Sequence, residues 1–359
     1  SFSDSEWYLV LIRQKTLVGQ IPPGHSVYKV TKVAVIPLSR SEPADLDLEV
    51  RTENLYSHHT HLSSNLVHKF RLSKRSNEFL YLRSYRQTQS HVYEPNTKKV
   101  NNTKQDKVDA RLVEELVRML TESEPIYYSL TYDITNSVQR QQESQNKDLP
   151  LWKKVDDRFF WNKYMMQDLI NLKDPRADGW IIPIILGFVQ IEEIKFNPVG
   201  YLESNSNNLE KFTKDQQCSK FLIALISRRS RHRAGMRYKR RGVDKNGNVA
   251  NYVETEQIVY SNNNTLSFVL VRGSIPVFWS QCGYHYSPKP QLDHTEEETT
   301  KAFRAHFEEQ LRIYSNQVII NLMDAGGTEK VIGDAYLRQV LLYNSPDLLY
   351  VAFDFHAYW

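Results

Sequence analysis

Residues 7–14 (WYLVLIRQ), 26–38 (SVYKVTKVAVIPL) and 79–83 are rich in β-branched and aromatic side chains, which predicts strands. Pro22-Pro23-Gly24 supplies a turn between the first two. Apolar positions then recur every four residues at Val108, Leu112, Leu116 and Leu120, predicting a helix from an Asp106 cap to Glu122. An aromatic-rich strand is expected from 125, grading into a polar loop that reaches Pro150. A second helix is expected over 152–172, with Phe159, Phe160, Tyr164, Met165 and Leu169 as its apolar face. Residues 179–194 read as a buried strand pair broken by Pro183 and Gly187.

The second half is β-rich and then α/β. A strand at 221–227 is followed by an expected hairpin: 236–241 out, a turn at Asp244-Lys245-Asn246-Gly247, and 248–260 back. On the returning strand Asn251, Val253, Thr255 and Gln257 share one face, and Tyr252, Glu254, Glu256 and Ile258 the other. Strands are expected at 266–272 and 275–279. Thr295-Glu296-Glu297-Glu298 reads as a capping box opening a helix to about Tyr314, with Phe303, Phe307, Leu311 and Tyr314 inward. A closing strand–helix–strand unit at 317–323, 330–344 and 348–356 predicts parallel pairing by a right-handed crossover. Residues 40–105 and 195–219 are polar, and 195–219 reads as a variable surface insertion.

Charge changes this picture at one place. Residues 228–241 hold seven arginines and Lys239, with no acid until Asp244. Those eight charges exceed the net +4 of the whole chain, so the remainder is acidic. Concentrated charge on an otherwise acidic chain favours a compact multi-phosphate headgroup at a membrane surface over nucleic acid, which spreads its contacts along a groove. Arginine's planar fork suits bidentate contact with phosphate oxygens. Gly235 within the stretch allows a close backbone approach. The bland alternative is a solvated basic face.

Other chemistries find little support. No apolar run is long enough to span a bilayer. The two cysteines, Cys218 and Cys282, have neither metal nor redox spacing, and a reducing compartment fits them better than a disulfide framework. Neither begins the C-x5-R phosphatase loop. The cluster His58, His59, His61 and His68 lacks Cys or Asp partners and reads as solvated surface rather than a zinc site. The residues by themselves describe a binding platform without a nucleophile.

The segments SRRSRHRAGMRYKRRGVDKNGNVANYVETEQ (227–257), RGSIPVFWSQ (272–281), QVIINL (317–322) and FDFH (353–356) carry a family resemblance. So do YYSLTYDITNSVQR (127–140) and WKKVDDRFFWNKYM (152–165). With them the chain resembles the Sac-domain phosphoinositide phosphatases, most of all the inositol polyphosphate 5-phosphatase F branch. The resemblance implies an α+β and α/β chain, with a β-rich N-terminal Sac subdomain over 1–178 and an incomplete mixed-sheet catalytic subdomain over 179–359. It implies removal of the 4-phosphate of phosphatidylinositol 4-phosphate through a cysteinyl-phosphate intermediate, without metal or cofactor, on the cytosolic face of early endosomes. Homodimerisation through regions outside this chain is a further expectation.

The resemblance places Arg233, Arg237, Lys239, Arg240, Arg241 and Asn251 at the headgroup, and Glu254, Glu256, Asp354 and His356 around it. The family's C-x-x-C-x-x-R-T loop lies downstream of FDFH, so the chain reads as a fragment that ends before it, and no residue here is assigned as catalytic. A non-catalytic inositide-binding or scaffolding module is the alternative. An uncovered apolar face near 348–355, with aggregation or partial folding of the C-terminal third, is also expected.

Overall fold

The two N-terminal stretches form a long antiparallel ribbon, β1 (Trp7–Ile21) and β2 (His25–Pro37), closed by the Pro22-Pro23-Gly24 turn. This computed structural model describes residues 7–37, 79–83, 104–123, 125–144, 148–196, 219–236, 239–261, 264–281, 288–323 and 326–353. The histidine cluster, both cysteines, Arg237, Asp354, His356 and residues 197–218 of the expected insertion lie outside them. The chain divides into two units, one comprising 1–228 and 256–268, the other 229–255 and 269–359. The architecture is α+β, dominated by one large, mostly antiparallel sheet.

The sheet continues through β3 (Phe79–Arg83), β4 (Ile126–Ser129), β5 (Ile184–Phe196), β6 (Ser219–Arg229), β7 (Val253–Ser261) and β8 (Asn264–Arg272). Its spatial order is β3-β1-β2-β4-β5-β6-β7-β8. The core of the first unit gathers Val10, Val30, Ile126, Tyr128, Phe160, Met166, Ile184 and Leu186 on one side of it. β5 and β6 pair from Gly187↔Arg228 to Phe196↔Ser219. Gly187 has φ +156°, and a Cβ there would stand 1.9 Å from the Ser227 carbonyl oxygen. Only glycine allows that approach.

Several expected elements take a different form. The strand from 125 is four residues long, and its polar continuation is helical: α2 (Val138–Glu143) is capped by Ser137, whose side chain accepts from Arg140 N. The preceding helix, α1 (Lys104–Arg118), widens at its exit into one π turn, Met119–Ser123. Residues 152–172 are not one helix. They form α3 (Leu151–Lys154), a 3₁₀ turn at Asp157–Phe159, and α4 (Gln167–Asn171). Asp156 caps the 3₁₀ turn, and the buried Asn162 amide clips Ile182 O at 2.8 Å and Ile184 N at 3.0 Å, hydrogen bonds that a continuous helix could not reach. Phe159 and Phe160 are buried as expected, but Met166 fills the core and Tyr164 is 64 % exposed. The expected strand pair at 179–194 is the single strand β5, entered from a 3₁₀ helix at Pro175–Trp180.

In the second unit a small ladder joins β9 (Trp279–Ser280) to β10 (Gln291–Leu292), where a longer strand at 275–279 was expected. α5 (Glu296–Tyr314) opens with the Thr295–Glu298 capping box, both reciprocal bonds being present. β11 (Gln317–Asn321), α6 (Lys330–Tyr343) and β12 (Leu348–Ala352) follow, and β11 pairs with β12 in parallel. Asn344 ends α6 in the left-handed conformation, φ +46°. Phe303, Phe307, Tyr336 and Val340 form the core between helices and strands. Alternation then leaves Val318 (59 % exposed), Ile320 (60 %) and Leu349 (60 %) on the outer side of this two-stranded sheet.

Candidate functional site

Alternation along β6 buries Ala224, Ile226 and then Arg228, so the first arginine of the basic stretch enters the core rather than the surface. Its Nε donates to Ile134 O at 2.6 Å, and its Nη2 donates to Asn136 O at 3.0 Å and to Glu256 Oε2 at 2.6 Å. Glu256 accepts further bonds from Val138 N, at the first turn of α2, and from Ser267 Oγ. Both partners of this ion pair are fully buried. A buried pair persists when each lone pair and donor is met, and this one is densely met.

Past Arg228 the described residues of the expected outgoing strand, 236 and 239–241, are not in a strand: they run as a braced loop, with a Val243↔Val249 bridge following it. The arginines themselves hold it. Arg229 Nη2 donates to Gly235 O at 2.8 Å and to Asn251 Oδ1 at 2.7 Å, and burial lowers the pKa of its guanidinium. Arg233 Nη2 donates to Arg241 O at 2.6 Å. Arg233, Gly242 and Asn251 all have positive φ, bends that strand geometry cannot hold. The close neighbour of Gly235 is the aliphatic stem of Arg240, 2.6 Å from where a Cβ would sit.

The turn expected at Asp244–Gly247 is present. Gly247 N donates to Asp244 O, Gly247 has φ +82°, and Asp244 Oδ1 accepts from Asn246 N and Asn248 N. Its tip rests on α5. A Cβ on Gly247 would stand 2.6 Å from His306 N, and the His306 ring bonds Gly247 O at 2.9 Å. Burial pushes the His306 pKa down to about 4. On the returning strand the expected faces are as drawn: Tyr252, Glu254, Glu256 and Ile258 are buried. Glu254 accepts from Tyr314 Oη, while Tyr252 Oη donates to Gln310 Oε1 at 2.8 Å, fastening β7 to α5.

Beside this turn lies a hollow of about 230 Å³. Val243, Phe278 and Trp279 wall it, with Arg233, Lys245 and His294 as nitrogen donors or acceptors and Asp244 and Asp293 as carboxylates. The Arg241 guanidinium sits 5.1 Å from the centre of the Trp279 ring. Lys239 and Arg240 are exposed, and Arg233 and Arg241 half-buried. The structure thus gathers Arg233 and Arg241 near a hollow, places Asn251 as a loop brace, and puts Glu254 and Glu256 in the interior. Sequence reasoning did not single out Trp279, His294, Lys245 or Asp293. The RGSIPVFWSQ motif pointed to Trp279, but nothing in its spacing told which loop it meets. Among the described residues no cluster of His, Cys, Asp or Glu could hold a metal ion, and no helix is long and apolar enough to cross a membrane.

Comparison with known proteins agrees with the sequence resemblance. Residues 1–359 match the SacI homology domain family. The human "Phosphatidylinositide phosphatase SAC2" is 56 % identical over 362 residues, covering 99 % of this chain and 31 % of that protein. Its zebrafish (Danio rerio) counterpart is 51 % identical over 356 residues. The "Phosphatidylinositol-3-phosphatase SAC1" of Saccharomyces cerevisiae is 34 % identical over 264 residues, covering 71 % of this chain and 38 % of that one. The chain thus spans about a third of the length of these relatives. On this match and these identities, it belongs to the SacI homology domain family of phosphoinositide phosphatases.

Proposed function

We propose that this chain is the headgroup-recruiting part of a phosphatase that removes the 4-phosphate of phosphatidylinositol 4-phosphate. The protein would work through a cysteinyl-phosphate intermediate on the cytosolic face of early endosomes. The observation that carries the reading is the basic loop. Lys239 and Arg240 stand exposed beside the half-buried Arg233 and Arg241, on a scaffold that Arg229 and Asn251 hold in shape. Lys239, Arg240 and Arg237 attract the anionic surface, and Arg233 and Arg241 meet the headgroup. Glu254 and Glu256 brace β7 just past Asn251, and the resemblance assigns Asp354 and His356 to the supporting pocket. None of these is the nucleophile. The names of the relatives support a phosphoinositide substrate, and the resemblance of 226–257 supports the 4-phosphate and the endosome.

The test is co-sedimentation with phosphatidylcholine vesicles that carry phosphatidylinositol 4-phosphate. Lys239→Ala with Arg240→Ala should weaken binding about thirtyfold, as expected for two basic residues near an anionic surface at about 1 kcal/mol each. Binding unchanged in that variant would reject the loop as the recruiting surface. Phosphate release from the chain alone should stay at background; clear turnover would place the nucleophile within these residues.

A further inference from the structure

We propose that the hollow beside the Asp244–Gly247 turn seats a phosphomonoester group. Two donors on its wall are unmet. Arg233 Nε and Trp279 Nε1 are both shielded from solvent, and neither finds an acceptor. Trp279 is more than nine-tenths buried. Buried N–H groups are almost always paired, so two orphans on residues that line one cavity point to an acceptor-rich visitor. The Arg233 guanidinium is already fixed by its Nη2 bond to Arg241 O. Its Nε–H is therefore held in place before a ligand arrives. The Arg241 cation over the indole ring also withdraws electron density from it, which strengthens Trp279 Nε1 as a donor. Lys245 stands exposed at the rim.

The carboxylates decide what else the site accepts. Asp244 is spent on its own turn, accepting from Asn246 N, Asn248 N and the Asn248 amide. Asp293 takes one bond, from Ser280 Oγ to Oδ1, and keeps an oxygen for a ligand hydroxyl. Two cations and two carboxylates leave the hollow near neutrality, so it selects by hydrogen bonding rather than by bulk charge. Phe278 adds an apolar wall against which the C–H face of a ring can rest. At about 230 Å³ the space is below that of drug-sized pockets and suits one phosphate with at most one small ring. A lipid headgroup and free phosphate share this chemistry. Only the choice of an inositide as ligand rests on the function proposed above; the site itself does not.

The experiment follows the indole N–H of Trp279 by NMR in the ¹⁵N-tryptophan-labelled chain, assigned with Trp279→Phe. Inorganic phosphate, inositol 1,4-bisphosphate and unphosphorylated inositol are titrated separately. A saturable downfield shift with the bisphosphate, and Trp279→Phe weakening its binding about tenfold, supports the site. A matching shift with inorganic phosphate supports it with free phosphate as the occupant, and a shift with the bisphosphate alone identifies the headgroup. No movement with either anion, or equal movement with plain inositol, overturns the proposal. The shift should survive Lys239→Ala with Arg240→Ala. Lost vesicle binding with an intact shift separates recruitment by the loop from seating in the hollow.

Discussion

Arg228→Met tests whether the first arginine of the basic stretch belongs to the interior. Methionine fills similar volume but deletes the fork that meets Ile134 O, Asn136 O and Glu256 Oε2. The Glu256 carboxylate, fully buried, then keeps only its bonds from Val138 N and Ser267 Oγ. Removing one partner of a buried pair strands a charge in low dielectric, at a cost of about 3–5 kcal/mol. Arg228→Lys should recover little, because a compact ammonium cannot match the planar fork whose Nε and Nη2 meet Ile134 O, Asn136 O and Glu256 Oε2. Adding Glu256→Gln to Arg228→Met removes the stranded charge and should restore part of the loss, giving a coupling of about 2 kcal/mol. Urea denaturation followed by tryptophan fluorescence and far-UV circular dichroism measures each corner of the cycle. A loss below about 1 kcal/mol for Arg228→Met, or no coupling, would refute the buried-pair reasoning.

Acid stability should report His306. Its folded pKa of about 4 lies below the ordinary 6.5, so between those values the unfolded chain binds more protons. Stability is then fully present above pH 6.5 and falls as pH drops towards 4, by up to about 3 kcal/mol. His306→Gln should flatten that slope; an unchanged profile would exclude His306 as its source. Gly187→Ala drives a Cβ into Ser227 O and should destabilise by at least about 3 kcal/mol in the same denaturation assay. Val318→Thr with Ile320→Thr trims the outer face of β11 and should lower dye binding and self-association while leaving the melting temperature within a few degrees. A large loss of melting temperature would mean that this face is packed.

The sequence showed most where periodicity and capping spoke together. α5 carries both its apolar stripe and its capping box in contiguous residues, and the structure keeps both. β7 likewise kept its two faces, because a period of two survives whatever the strand packs against. The 152–172 region misled because its aromatic spacing fits a helix equally well. What broke it was Asn162 meeting the backbone of β5 some twenty residues on, a tertiary bond with no local signature. The basic stretch was legible as charge but not as geometry. Alternating side chains suggested strands, while three positive-φ residues and the arginine-to-carbonyl bonds bent it into a loop. The hollow was the least legible part, since its walls come from residues 233, 243–245, 278–279 and 293–294.

A loop braced by its own arginines has kinetic and ionic consequences. Arg229 and Arg233 are tied to carbonyls before any ligand arrives, so little ordering entropy remains to be lost on binding. Arg228 is wholly removed from the surface, and its charge can release no counterion on contact with a membrane. Association should therefore weaken with added salt as though the loop carried far fewer than its eight formal charges, because screening acts chiefly on those that solvent reaches.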